Sequence, residues 1–142
     1  MNITDAIAQR HSWRTYNGLA LDSDTHARLT EAIGRATDFS RTLFENITDV
    51  EGRPLTVTAP EIRLVSDDSL NGATGTYGFI KGARQFLILA CGPTDADHIA
   101  GAAAFERLIL DATAIGLDTC WLGGTFSRKR FDAVARIPED MK

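Results

Sequence analysis

One stretch constrains this chain more than any other. Phe86-Leu-Ile-Leu-Ala90 is followed by Thr94 and an alanine-rich run, then Gly116, then Cys120-Trp121-Leu122 and the pair Gly123-Gly124. Five consecutive apolar residues fit a strand covered on both faces. Thr94 stands where a helix N-cap belongs, and Asp95 and Asp97 complement the positive end of the helix. Gly116 can close that helix in the left-handed conformation. Residues 120–122 read as a second buried strand. Strand, helix and strand in that order predict helices laid over a central sheet.

The remaining elements are less sharply written. Thr4 can cap a first helix, with Asp5 in its first turn and Ile3, Ala6 and Ile7 facing inward. Ser23 or Asp24 can cap a second, whose Leu29, Ile33 and Ala36 share a face. Residues 38–60 show no period and hold Gly52, Pro54 and Pro60, so they read as an irregular excursion or short helices. Ile62 to Ser66 reads as a strand, residues 71–78 as a glycine-rich loop, and Ser127 as the cap of a last helix reaching about Ala135. The 142 residues suit one domain, 1–142. The closing Ile137-Pro138-Glu139-Asp140-Met141-Lys142 reads as a connection, which predicts a domain incomplete at its C-terminus.

Composition removes several function classes. The net charge of −4 argues against a nucleic-acid platform. No stretch approaches the ~18 apolar residues of a membrane span, and the N-terminus lacks a secretory pattern, so the expected location is the cytoplasm. Cys91 and Cys120 form no zinc or disulfide pattern and read as buried reduced thiols. His11, His26 and His98 are scattered, so no metal site is expected. No P-loop, nucleophile elbow or dinucleotide fingerprint occurs, and no protein nucleophile or catalytic acid is assigned.

Two segments carry binding chemistry. If the first helix ends near Arg10 and the chain then extends, residues 10, 12 and 14 point to one side. Arg10, Ser12 and Arg14 would then offer two guanidinium forks and a hydroxyl, a set that suits a phosphate monoester. A solvated basic turn paired to surface acids accounts for the same residues. Gly123-Gly124 before Ser127 can present bare N–H groups to a ligand, or can simply make a tight turn that needs positive φ. Trp121 and Phe126 can wall a flat ring or belong to the core, and Tyr77 is a further candidate ring contact.

In this order the segments resemble the FMN-dependent nitroreductase family, closest to its TM-type branch. The resemblance rests on "Ala6-Ile7-Ala-Gln-Arg10-His11-Ser12-Trp-Arg14-Thr-Tyr16", on "Tyr77-Gly78-Phe-Ile80-Lys-Gly82-Ala83", and above all on residues 105–126. It implies an α+β, three-layer α-β-α fold with a central mixed sheet flanked by helices. It implies that Arg10, His11, Ser12 and Arg14 hold the FMN phosphate and ribityl chain, and that Leu122, Gly123 and Gly124 lie beside the isoalloxazine. The implied activity is ping-pong transfer of electrons from NAD(P)H to a nitroaromatic, quinone or similar small acceptor, in a homodimer. The alternatives are a flavin- or nucleotide-binding module without turnover and a truncated, inactive member of the same fold.

Overall fold

The computed structural model describes residues 1–142. Its elements in chain order are α1 (Ile3–Gln9), α2 (Ser23–Thr42), β1 (Glu61–Val65), a 3-10 turn (Asp68–Leu70), α3 (Gly72–Gly75), β2 (Phe86–Ala90), α4 (Asp95–Ala114) and α5 (Arg128–Ala135). β1 and β2 pair antiparallel, with Glu61 opposite Ala90 and Val65 opposite Phe86. Single parallel bridges join Ser12 to Thr119 and Thr15 to Lys81, so the pairing is mixed.

β2 divides the core into two layers because its side chains alternate across the sheet. Leu87 and Leu89 pack toward Leu29, Ala32 and Ala36 of α2 and Ala104, Phe105 and Leu108 of α4. Phe86 and Ile88 face the other way, onto Leu70, Ile80, Phe131 and Ala135. Phe86 and Phe131 meet edge to face at 5.4 Å. Helices therefore lie on both faces of the small sheet, which is the three-layer α+β arrangement expected. Arg63 of β1 ties α5 to it: its guanidinium donates to the Ala135 carbonyl and, at 2.8 Å, to that of Arg136, closing the negative end of the helix.

Several local expectations are met and several are corrected. α4 carries a full capping box between Thr94 and Asp97, and Gly116 follows it with φ +87. α1 and α2 are capped by Asn2 and Asp22, not by Thr4 or by Ser23 or Asp24. Ile3 and Ile7 are exposed rather than inward, and only Ala6 of α1 is buried. α2 runs on through Thr42, into the stretch expected to be irregular. Ser127 precedes α5 without a side-chain capping bond. Residues 120–122 are not a buried strand: Thr119 makes one bridge, Cys120 and Leu122 are half-buried, and Trp121 is 41% exposed. Cys91 is buried, whereas Cys120 is only half so.

The two-stranded sheet leaves its outer edges without a ladder partner. Along the edge of β2 away from β1 lies an apolar trough of about 760 Å³, walled across from β2 by residues 117–122. At its mouth Cys91 and Lys142 exchange both backbone hydrogen bonds, at 2.8 and 3.0 Å.

Candidate functional site

The segment after α1 is clamped on both sides, which fixes Arg14. Trp13 N–H donates to the Thr119 carbonyl at 3.0 Å. The Arg14 carbonyl accepts from Lys81 N–H at 2.9 Å, and Tyr16 N–H donates to the Lys81 carbonyl at 2.8 Å. Tyr16 itself is locked by its hydroxyl, which donates to the Trp13 carbonyl at 2.8 Å. Burial pushes that phenol up to about 12, helped by the nearby Cys120 and Asp118.

This clamp brings Arg14 to the double glycine. Arg14, Phe79, Cys120, Trp121, Leu122, Gly123, Gly124 and Thr125 line one pocket of about 600 Å³. The Arg14 side chain is exposed and makes no ion pair or hydrogen bond with the protein, so its guanidinium fork is free for an anion. The larger trough is a poorer candidate for polar chemistry. Twenty-three of its 36 lining residues are hydrophobic, and they belong mostly to the two core layers.

The other members of the basic segment sit differently. Arg10 caps α1 and turns its guanidinium to Glu106 of α4, 3.9 Å away. His11 and Ser12 are exposed, and neither lines the Arg14 pocket. The expected one-sided row of residues 10, 12 and 14 is therefore not formed around that pocket: Arg14 reaches it, and Arg10 is held elsewhere.

Gly123 and Gly124 have a property the sequence does not reveal. Neither has positive φ, so the tight-turn explanation for them fails. A Cβ added to either would meet no atom within 4 Å. The protein's own packing and backbone therefore do not call for glycine here. The open space lies where something else can approach the backbone closely.

Two residues of the site went unnoticed in the sequence. Phe79 reaches the pocket from the Tyr77-Gly78 turn, where Tyr77 itself adopts φ +50. Glu106 accepts a hydrogen bond from the Trp121 indole at 2.7 Å, while Phe105 meets that ring edge-on at 4.9 Å. An acid set within the apolar sweep of residues 104–110 was the available signal for Glu106.

A family model described as "Putative TM nitroreductase" matches residues 2–142. The chain belongs to this nitroreductase family. Solved structures agree in fold. A "Putative NADH dehydrogenase/NAD(P)H nitroreductase" from Bacteroides thetaiotaomicron VPI-5482 superposes with TM-score 0.67 at 20% identity, covering 98% of this chain and 79% of that one. A nitroreductase family protein from Clostridium novyi NT gives TM-score 0.67 at 19% identity, over 100% and 80% of the two chains. A nitroreductase with bound FMN from Bacteroides fragilis NCTC 9343 gives 0.56 at 18%, over 100% and 83%. No curated protein matches the chain. No helix of this nitroreductase-family protein is long and apolar enough to cross a membrane.

Proposed function

We propose that this protein is a flavin oxidoreductase that holds FMN in the pocket between Arg14 and Gly123-Gly124. The observation that carries the reading is the pair of glycines that neither backbone conformation nor packing requires, opposite an unpaired arginine. Family membership and the FMN bound by the Bacteroides fragilis relative support the same cofactor. In this reading Arg14 takes the phosphate through its bidentate fork. His11 and Ser12 lie on the same clamped segment outside that pocket, and would contact the ribityl chain or phosphate only where it extends past Arg14. Arg10 contributes charge from behind its ion pair with Glu106. The bare N–H groups of residues 123 and 124, with Leu122, lie against the ring system, where a donor tunes the cofactor's electronics.

Bound here, FMN would supply the hydride- and electron-transfer chemistry. The protein's part is to bind it, orient it and hold the donor beside it, so no side-chain nucleophile is assigned. The electron donor is NAD(P)H and the acceptor a nitroaromatic, quinone or similar small molecule, by a ping-pong scheme. The working unit is a homodimer in the cytoplasm.

The test is an FMN titration of the purified protein, followed by flavin absorbance and gel filtration. Binding with NAD(P)H oxidation in the presence of an acceptor supports the enzyme; binding without turnover leaves a flavin-binding module. Arg14→Ala should weaken FMN by about 1.5–3 kcal/mol, roughly 10- to 150-fold, the value of a charge-assisted contact. Gly123→Ala and Gly124→Ala should leave the melting temperature of the free protein unchanged or slightly raised, because the added Cβ meets open space. The same two changes should weaken FMN. If all three variants bind FMN as the parent does, the pocket is elsewhere.

A further inference from the structure

We propose that Glu106 is a positioning residue of this pocket: its carboxylate fastens the Trp121 indole, and through it the backbone that runs into Gly123-Gly124. The proposal rests on the flavin reading above and adds to it a residue outside the pocket wall.

The two oxygens of Glu106 do unequal work. One accepts from Trp121 Nε1 at 2.7 Å, a short, charge-assisted bond. The other lies 3.9 Å from Arg10 Nε, an ion contact between half-exposed groups and worth little by itself. The indole bond is therefore the strong one. It matters because Cys120 and Leu122 pack against the core on either side, whereas Trp121 itself is held chiefly by this bond and by the edge of Phe105. Residues 120–122 join no ladder, and the neighbouring bridge at Thr119 is single. Trp121 is 41% exposed, and its other aromatic restraint is the edge-on ring of Phe105.

α4 is a fit anchor for such a loop. It is 20 residues long, begins in a full capping box and buries Ala104, Phe105 and Leu108. Glu106 extends that rigidity to the glycines. Without the bond, the N–H groups of residues 123 and 124 must be ordered when ligand binds, and that cost appears as lost affinity.

The experiment is done in a Trp13→Phe background, where Trp121 is the only tryptophan. It reads the indole emission and acrylamide quenching without flavin, and then the dissociation constant for FMN. Glu106→Gln keeps an acceptor oxygen and loses the charge; Glu106→Ala loses both; Trp121→Phe keeps a ring and loses the N–H. Glu106→Gln should bind FMN about threefold more weakly than the parent, since a neutral acceptor keeps about half of a charge-assisted bond. Glu106→Ala and Trp121→Phe should each weaken it about tenfold, and the double variant no further, since one bond is broken once. The indole of Glu106→Ala should emit at longer wavelength and quench more readily, while that of Glu106→Gln stays as in the parent.

An unchanged spectrum in Glu106→Ala, additive losses in the double variant, or a Glu106→Gln as weak as Glu106→Ala would each overturn the proposal. Thermal melts confirm folding, and the near-isosteric Glu106→Gln keeps the test valid if the alanine variant is unstable. A parent that binds no FMN overturns the flavin reading instead. The emission of Glu106→Ala then decides the fastening by itself, a red shift upholding it and no shift ending it.

Discussion

Asp97 is 2% exposed, and nearly everything around it is a donor. Its carboxylate accepts from Thr58 N–H at 2.6 Å and Thr94 N–H at 3.1 Å, and its own N–H donates to the Thr94 hydroxyl. Burial alone would raise this carboxyl, but the bonds from Thr58 and Thr94 outweigh it and hold it below the usual carboxylate range. The sequence marks Asp97 as a charge suited to a helix start. It does not show the tether to a loop 39 positions earlier, because nothing local at Thr58 announces the partner. Asp97→Asn should cost about 1–3 kcal/mol at pH 7, because the amide sets a donor against one of those N–H groups. The sign follows from the lowered carboxyl. Its contribution is complete above the ordinary aspartate range and disappears as pH falls through the depressed value. Urea unfolding of parent and variant should therefore differ most near neutrality and converge in acid. An equal gap at both ends would mean that packing, not the carboxylate, is what matters.

At the scale of elements, legibility tracks how local the determinants are. β2 announces itself by five apolar residues, and α4 by Thr94 at one end and Gly116 at the other. The segment at 120–122 is apolar too, yet strand formation needs a hydrogen-bonded ladder with a neighbour, and apolarity does not supply one. Arg14 and the glycine pair stand out in the sequence as site candidates because their chemistry is intrinsic. Glu106 does not, because its contact with the Trp121 indole depends on where that residue falls in the fold. Gly101 makes the same point inside α4. By propensity alone, replacing a mid-helix glycine with alanine gains about 1 kcal/mol. Here the new Cβ would collide with Cys91 Sγ, at the point where α4 crosses the end of β2. Gly101→Ala should therefore destabilise the protein by about 1–3 kcal/mol, as overpacking does. Adding Cys91→Ala should recover part of that loss. A Gly101→Ala variant as stable as the parent in urea would show that the Cys91 thiol turns aside or the two elements shift at little cost.

Across the whole molecule, the two core layers are joined through β2, and the edge of β2 away from β1 faces an apolar trough of about 760 Å³. The layer between α2 and α4 is fully buried at Ala36, Ala104 and Leu108, yet it too borders the trough, through Leu29, Phe105 and Ala112. The other layer meets the trough through Phe86, Ile88 and Phe131. In an antiparallel pair, alternate amides of a strand point to the partner and the rest point away. Among residues 86–90 those turned from β1 therefore meet the trough, while Cys91 just beyond is paired with Lys142. Hydrogen exchange should separate these populations. The buried face of α4 and the β1-directed amides of β2 should open only with global unfolding, whereas the trough-facing amides should exchange orders of magnitude faster. Dilution distinguishes the two ways this could fail. Uniform protection of β2 that persists at low protein concentration would mean that the chain covers its own edge. Uniform protection that fades on dilution would mean that a second copy pairs with it, and the homodimer would then be part of the fold and not an addition to it.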